Sequence, residues 1–329
     1  GEDGVIIMAR CAFCDADFET GPGDILLVCP YCGTAQTTDG TKFTDHYMIR
    51  VHFDQTEAQT TLLDWVSKQL GAPQDLAAAA RFLKYKQIWY PFWISRVDAQ
   101  SEYSGIGRDA EFHNEWPQRR GAYKRIRFIE KPESGQFTRR HEIKIAGTSG
   151  IDEDVQRHPI PTRAKEFFSH AHAEEFDGKV LHSQMNEEQA RTKAKKIAHD
   201  KQTALIMDEV TKVTHRTDNL DVGETYLVHV PVWELEYRYG KGKYKASVAA
   251  ATGYVIESKY PRSMAFRAMG IGIGLLALLV GAGLLAMGFG YLPFSIFPMF
   301  GIVSGGIFAL LGLVVMYKGM SRKEAKEQI

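Results

Sequence analysis

The sequence predicts an α+β protein in three parts: a small cysteine-pinned ribbon at the N-terminus, a soluble region of helices and antiparallel meanders, and a C-terminal helical hairpin. Three observations carry that prediction. All four cysteines fall between Cys11 and Cys32 as two Cys-x-x-Cys pairs. The middle region alternates helical periodicity with short strand-like runs punctuated by glycine. From Ala268 to Tyr317, fifty residues pass without a single Asp, Glu, Lys, Arg or His.

The N-terminal part, residues 1–40, is read first. Cys11-Ala12-Phe13-Cys14 is followed after fourteen residues by Cys29-Pro30-Tyr31-Cys32-Gly33. Two such pairs supply four thiolates, the donor set of a closed tetrahedral site, so Cys11, Cys14, Cys29 and Cys32 are the expected ligands of a structural zinc ion in a zinc ribbon. Iron in a rubredoxin-like site is the main competing metal, since four thiolates suit it equally. Clustering of every cysteine in this segment argues against a disulfide framework, which spreads its staples through a fold. Gly33 permits the tight turn after the second pair, and Ile25–Val28 reads as a strand leading into it.

The soluble region spans residues 43–261. A strand is expected over Tyr47–Phe53. The next element is a helix opened by Thr56 with Gln59 as a capping box, its apolar face being Ala58, Leu62, Trp65, Val66 and Leu70. Gly71 and Pro73 end it, and a second helix is expected over about 74–84. Tyr90-Pro91-Phe92-Trp93 then opens a strand running to Tyr103. A second Pro-x-Trp, Pro231-Val232-Trp233, opens a meander of Tyr226–Tyr239, Lys243–Ala251 and Tyr254–Ser258, with Gly240, Gly242 and Gly253 at the turns. A long helix from Glu187 to Val213, capped by Asn186 with Gln189, precedes it. The recurrence suggests an internal duplication, with halves 43–146 and 180–261.

Between those halves lies a basic stretch, residues 119–144, with Arg119, Arg120, Lys124, Arg125, Arg127, Lys131, Arg139, Arg140 and Lys144. Alternation such as Arg125-Ile126-Arg127-Phe128 favours a half-buried hairpin with a charged outer face; a phosphate-tracking surface is the alternative. Residues 152–161 read as a loop. His170 and His172 are two apart, do not share a helix face, and are expected to be solvated. Formal net charge is +0 with a pI near 7.3, so no global field favours nucleic acid or anionic lipid.

Residues 262–329 form the C-terminal part. A crossing needs about 20 apolar residues, so the uncharged run fits two transmembrane helices, about 268–290 and 296–317, joined by a turn at Tyr291–Pro293 and Phe297-Pro298. Mean hydropathy over the chain is only -0.25, because the polar first part offsets the tail. Lys259, Arg262 and Arg267 precede the first helix and Lys318, Arg322, Lys323 and Lys326 follow the second. By the bias of basic flanks toward the cytoplasm, the expected topology is two-pass in the inner membrane with both termini cytoplasmic. Gly270, Gly272, Gly274, Gly301, Gly305 and Gly312 are small residues that let helix backbones approach, within one chain or in a homo-oligomer.

The order of these motifs resembles bacterial zinc-ribbon membrane proteins with C-terminal transmembrane helices, often mislabelled as primosomal helicase-like or transcription-factor-type zinc-ribbon proteins. The resemblance rests on Cys29-Pro30-Tyr31-Cys32-Gly33, Tyr90-Pro91-Phe92-Trp93, Pro231-Val232-Trp233 with Tyr244, Thr252-Gly253-Tyr254-Val255, and Tyr260-Pro261-Arg262-Ser263 before the membrane helices. Some such proteins are encoded beside phage-shock-type membrane-remodelling proteins and flotillin-like scaffolds. That implies a non-enzymatic membrane adaptor or scaffold recruiting such partners, with no catalytic residues to carry over. A helicase is excluded on the residues themselves: no Gly-x-x-x-x-Gly-Lys-Ser/Thr loop is present to cradle phosphates. The alternative is a membrane-tethered nucleic-acid binder using the ribbon and the 119–144 stretch; nucleic acid is the less favoured partner.

Overall fold

The computed structural model describes residues 7–115, 123–289, 298–321 and 324–328. In chain order the elements are β1 (Ile7–Arg10), β2 (Asp17–Thr20), β3 (Leu26–Val28), β4 (Ala35–Thr37), β5 (Lys42–Phe43) and β6 (His46–Ile49). Helices α1 (Gln55–Ser67) and α2 (Leu76–Ala79) precede β7 (Arg81–Glu115) and β8 (Tyr123–Ala146). Then come α3 (Glu153–Arg157), β9 (Lys165–Phe167), α4 (His170–Glu175), β10 (Lys179–Val180) and α5 (Glu187–Glu209). The chain ends with β11 (Lys212–Tyr239), β12 (Gly242–Ala249), β13 (Val255–Pro261), α6 (Met264–Gly288), α7 (Pro298–Ser321) and β14 (Glu324–Gln328). This is a mixed α and β architecture with a sheet-rich body and apolar C-terminal helices.

The chain divides into two compact units, Gly1–Arg50 with Ile88–Pro231, and Val51–Gln87 with Val232–Ile329. In the first, β7 and β8 form a long antiparallel hairpin paired from Phe92↔Ala146 to Glu115↔Tyr123. β6 pairs in parallel with β11 and antiparallel with β9. Helix α5 begins at the expected capping box, Asn186 Oδ1 accepting from Gln189 N at 2.9 Å and Gln189 Oε1 from Asn186 N at 3.1 Å. It lays Ala190, Ala194 and Ala198 onto Trp93, Val97, Ile143 and Ile145. Alanine at these spacings lets the helix sit close to the sheet, and the Trp93 indole N–H is satisfied by Ser183 Oγ at 3.0 Å.

In the second unit the expected meander is present as the last residues of β11 with β12 and β13. Helix α1 packs across β12 and β13 through Ala58, Leu62 and Val66. The Trp233 indole N–H donates to Phe53 O at 2.9 Å. Each Pro-x-Trp segment thus lies beside a helix from the other part of the sequence.

Several expected boundaries shift. α1 is capped by Asp54 with Glu57, not by Thr56 with Gln59; each of the two cap bonds is 2.9 Å long. Both quartets fit the capping pattern, and the carboxylate wins because it caps at least as well as a threonine and complements the helix dipole. Leu70 lies beyond the helix end and is 75% exposed. The strand expected over Tyr47–Phe53 is the shorter β6, and residues 80–84 leave the helical state early because Arg81–Tyr90 is rich in aromatic residues. The long helix ends at Glu209, where Val210, Val213 and neighbouring threonines turn β11 extended. Residues 152–161 contain α3 rather than only a loop. His170 and His172 are not solvated: their side chains are 13% and 14% exposed on α4 and pair with Glu174 and Glu175 at 3.0 and 3.2 Å.

The apolar tail forms α6 and α7; α6 starts earlier than expected, at Met264, and α7 runs on past 317 to Ser321. Met264–Met287 is long and apolar enough to span a bilayer, and Ile302–Lys318 is a shorter apolar stretch. The two helices pack antiparallel, and four glycines bring their backbones together: a Cβ on Gly274 would lie 2.8 Å from Gly312 O, and one on Gly281 would lie 2.7 Å from Ala309 N. Gly272, by contrast, faces open space. The expected turn at 291–297 lies outside the described residues, as do Arg119, Arg120, Arg322 and Lys323.

Candidate metal centre

The ribbon is two hairpin-like halves, each carrying one Cys-x-x-Cys pair at its bend. β1 pairs β2 around Cys11–Cys14, and β3 pairs β4 around Cys29–Cys32, with β5 adding a third strand. The two bends repeat the same backbone pattern. Asp15 N donates to Cys11 O at 3.0 Å, and Gly33 N donates to Cys29 O at 2.9 Å. Cys11 N donates to Ala16 O and Cys29 N to Thr34 O at 2.9 and 3.0 Å. Both turns end in a left-handed residue, Gly33 at φ 72 and Asp15 at φ 61. Asp tolerates this region better than most side-chain-bearing residues. At Gly33 a Cβ would also meet His170 Cβ at 2.9 Å.

The bends bring four sulfurs into one cluster. Cys11 Sγ and Cys32 Sγ are 3.6 Å apart, Cys14 Sγ and Cys29 Sγ 3.7 Å, and all four lie within 4.8 Å of one another. A tetrahedron with metal–sulfur arms of ~2.3 Å has edges of about 3.8 Å, so the spacing fits a metal ion and is far from that of a disulfide. Amides support the sulfurs: Phe13 N points at Cys11 Sγ and Tyr31 N at Cys29 Sγ, each at 3.4 Å. Cys32 Sγ lies 3.3 Å from Thr34 Oγ1.

The thiols differ in character. Burial pushes Cys29 up to about 12. Burial acts on Cys32 as well, but bonds from the Thr34 side chain and amide and the neighbouring thiols outweigh it and bring that thiol down to about 7. A bound cation reverses the local balance and holds all four as thiolates. Four protein sulfurs leave no open coordination position, so this donor set suits a structural ion.

Groups distant in sequence hold the cluster in place. Gln36, 2% exposed, accepts from Ala12 N with Oε1 and donates to Arg10 O with Nε2, both at 2.8 Å. His182 Nδ1 accepts from Val28 N at 3.1 Å, and Ser183 N donates to Leu26 O at 3.0 Å. The ribbon is therefore stitched to the rest of its unit by backbone pairing at Ser183 and by the His182 side chain. Asp15 was legible as the counterpart of Gly33, whereas Gln36 and His182 carry no local signal.

A cleft of about 670 Å³ opens beside Cys29, lined by Glu19, Asp24, His170, Lys179 and His182 among others. Its polar groups are largely occupied: Asp24 caps Gly21 N at 2.8 Å, His182 holds Val28, and His170 faces Glu174. Deeper in the unit, His46 Nε2 and His229 Nδ1 are 2.8 Å apart, and His229 Nε2 donates to Leu181 O at 2.8 Å. Burial holds both rings neutral, His229 at about 4 and His46 well below its ordinary value.

The basic stretch is set in the β7–β8 hairpin opposite carboxylates. Arg140 meets Asp98 at 2.6 Å, Lys131 meets Asp109 at 3.1 Å, and Arg108 on β7 meets Glu130 at 3.7 Å. Lys144 is largely buried over the Phe92 ring, bonds His158 O, and is lowered to about 8 by that burial.

These features define a class: a four-cysteine ribbon able to hold a metal ion, in a chain with an α+β body and apolar C-terminal helices. Comparisons with protein-family models, curated proteins and solved structures found no match.

Proposed function

We propose that this chain is a non-enzymatic membrane adaptor: a structural-zinc ribbon and its α+β body are anchored by a two-pass hairpin, with both ends on the cytoplasmic face of the inner membrane. The observation that carries the anchored part is the return of the tail. β14 pairs antiparallel with β13 from Glu257↔Gln328 to Pro261↔Glu324. The strand that leads into α6 and the strand that follows α7 are thus neighbours, which supports two crossings that leave and re-enter on one side. Basic residues at both ends of the hairpin support the cytoplasmic assignment.

The adaptor part is supported by the ribbon's own surface. Phe13 and Tyr31 occupy the middle of the two Cys-x-x-Cys bends and are 69% and 65% exposed. Two aromatic side chains held rigidly outward by a metal-pinned turn are suited to anchoring a protein partner. Zinc is favoured over iron because a closed site with no redox role needs none of iron's chemistry. A nucleic-acid role is disfavoured by the carboxylates facing the basic hairpin.

The test is affinity capture of the full chain from detergent-solubilised membranes, with metal content measured on the same sample. The expected result is one zinc per chain and a defined set of membrane-associated scaffold or remodelling proteins. Cys29→Ser with Cys32→Ser should lose both. Phe13→Ala with Tyr31→Ala should keep the zinc and lose the partners. Retention of every partner by the aromatic variant would remove the ribbon from the docking role.

A further inference from the structure

Resting on the anchored reading, we propose that the helix-proximal end of the second unit's sheet is a binding surface for anionic phospholipid headgroups. The evidence is a sorting of charge by strand register. Glu234 pairs with Ser247, which pairs with Glu257, so the charged row of these strands farthest from α6 is acidic. The next row pairs Glu236 with Lys245 and is mixed. The row after that pairs Arg238 with Lys243 and runs on through Pro261 of β13 to Glu324 of β14, so two cations stand there against one carboxylate. Beyond it lies the turn at Gly240-Lys241-Gly242.

β13 runs antiparallel to β12, with Ala246 opposite Ser258. Continuing that register sets Pro261, its last residue, level with Lys243. The basic end of the sheet is therefore the end from which the chain enters α6 at Met264. Lys259 on β13 adds a further cation to this end. Arg81 joins it through the neighbouring strand, because the Phe82 ring lies 6.0 Å from Tyr237. Arg81, Arg238, Lys241, Lys243, Lys245 and Lys259 are all exposed. Two acids stand at this end among the described residues: Glu324, opposite Pro261, and Asp75, which accepts the Tyr239 hydroxyl at 2.7 Å.

Apolar groups mark the same level. Gly71 O accepts from Ser263 N at 2.7 Å, clamping the α1–α2 loop against the first turn of α6. A Cβ at Gly71 would lie 2.8 Å from the Phe266 ring, so the loop and helix meet at van der Waals range. Beside this clamp Leu70 and Met264 are 75% and 77% exposed. Exposed apolar side chains next to an apolar helix, with cations behind them, match a bilayer interface: acyl chains below, headgroup phosphates above. A surface serving only solubility intersperses the two signs evenly; here the net sign changes with distance from the helix.

The experiment uses the full chain in bilayers of phosphatidylcholine with a minority of phosphatidylglycerol. The lipid that stays bound after detergent extraction is measured. The expected result is enrichment of phosphatidylglycerol over its share of the bilayer. That enrichment should fall about fivefold for each cation removed in Arg238→Gln, Lys243→Gln and Lys245→Gln, and should be lost at high salt. Lys241→Gln, in the turn and outside the sheet pairing, gives a partial loss without touching the fold. Enrichment that is absent, or unchanged in the triple variant, overturns the proposal. Equal retention of a short oligonucleotide in neutral bilayers assigns the surface to nucleic acid and also overturns it. Alkaline extraction of the same liposomes separates the two readings: a chain that resists extraction but shows no enrichment is anchored and lacks this surface, whereas a chain that washes off was never anchored.

Discussion

The close glycine approaches in the apolar hairpin give the sharpest test of how the two C-terminal helices pair. Consider Gly281→Leu. A Cβ at this position would lie 2.7 Å from Ala309 N and 2.9 Å from Gly305 O, where ordinary contact begins at 3.4 Å. The obstacles are backbone atoms, so no rotamer change relieves them. The helices must part by about 0.7 Å (3.4 − 2.7) before the rest of the leucine is placed. Overpacking of this kind costs about 1–3 kcal/mol, and a leucine wedged against backbone belongs at the upper end. The gain in helix propensity over glycine returns at most ~1 kcal/mol. Gly283 is the control, because a Cβ there meets nothing within 4 Å. Thermal unfolding in mild detergent, followed by the helical circular dichroism signal, should show Gly281→Leu melting several degrees below the parent and Gly283→Leu at or above it. Equal shifts for the two variants would refute antiparallel pairing through the Gly281 and Gly305 face.

Metal affinity should fall steeply with acidification: burial holds metal-free Cys29 as a thiol up to about 12, so binding expels a proton and weakens about tenfold per pH unit for each proton displaced. A colorimetric chelator titration across pH checks this, and pH-independent release would contradict it. The body should also lose stability in acid. His229 and His158 are each lowered to about 4 by burial, so their stabilisation is complete above the unfolded value near 6.5 and disappears as pH falls toward 4, by up to ~3 kcal/mol per ring. Tryptophan-fluorescence melts at a series of pH values measure it, and His229→Gln should flatten the dependence. Ending the chain after Ser321 should leave the β13 edge unpaired and speed hydrogen exchange over Glu257–Pro261, where the parent is protected by β14; unchanged exchange would mean the tail pairing does not form.

What the sequence revealed was local chemistry. Two cysteine pairs, the Asn186–Gln189 cap and a fifty-residue uncharged run each announce themselves within one window, because the forces involved act between near neighbours. What it hid depended on partners far along the chain. The Asp54 and Thr56 quartets overlap, and only the finished helix shows which carboxylate or hydroxyl reaches the free amides. β7 and β11 run far past their Pro-x-Trp segments because pairing with another strand, rather than alternation of apolar side chains, sustains them; Thr211 N finds Ile106 O at 2.8 Å across 105 residues. The packing that sets α5 on the Trp93 strands as well as on β11, and α1 on the β12–β13 pair, is likewise invisible to any window. Charge shows the same limit most clearly. Along the chain Glu234, Glu236, Arg238, Lys241, Lys243, Lys245, Glu257 and Lys259 read as an ordinary mixture of signs. Strand register resolves that mixture into rows, acidic away from α6 and net basic nearer to it. A polarity of this kind is a property of pairing, and it exists only once the sheet has formed.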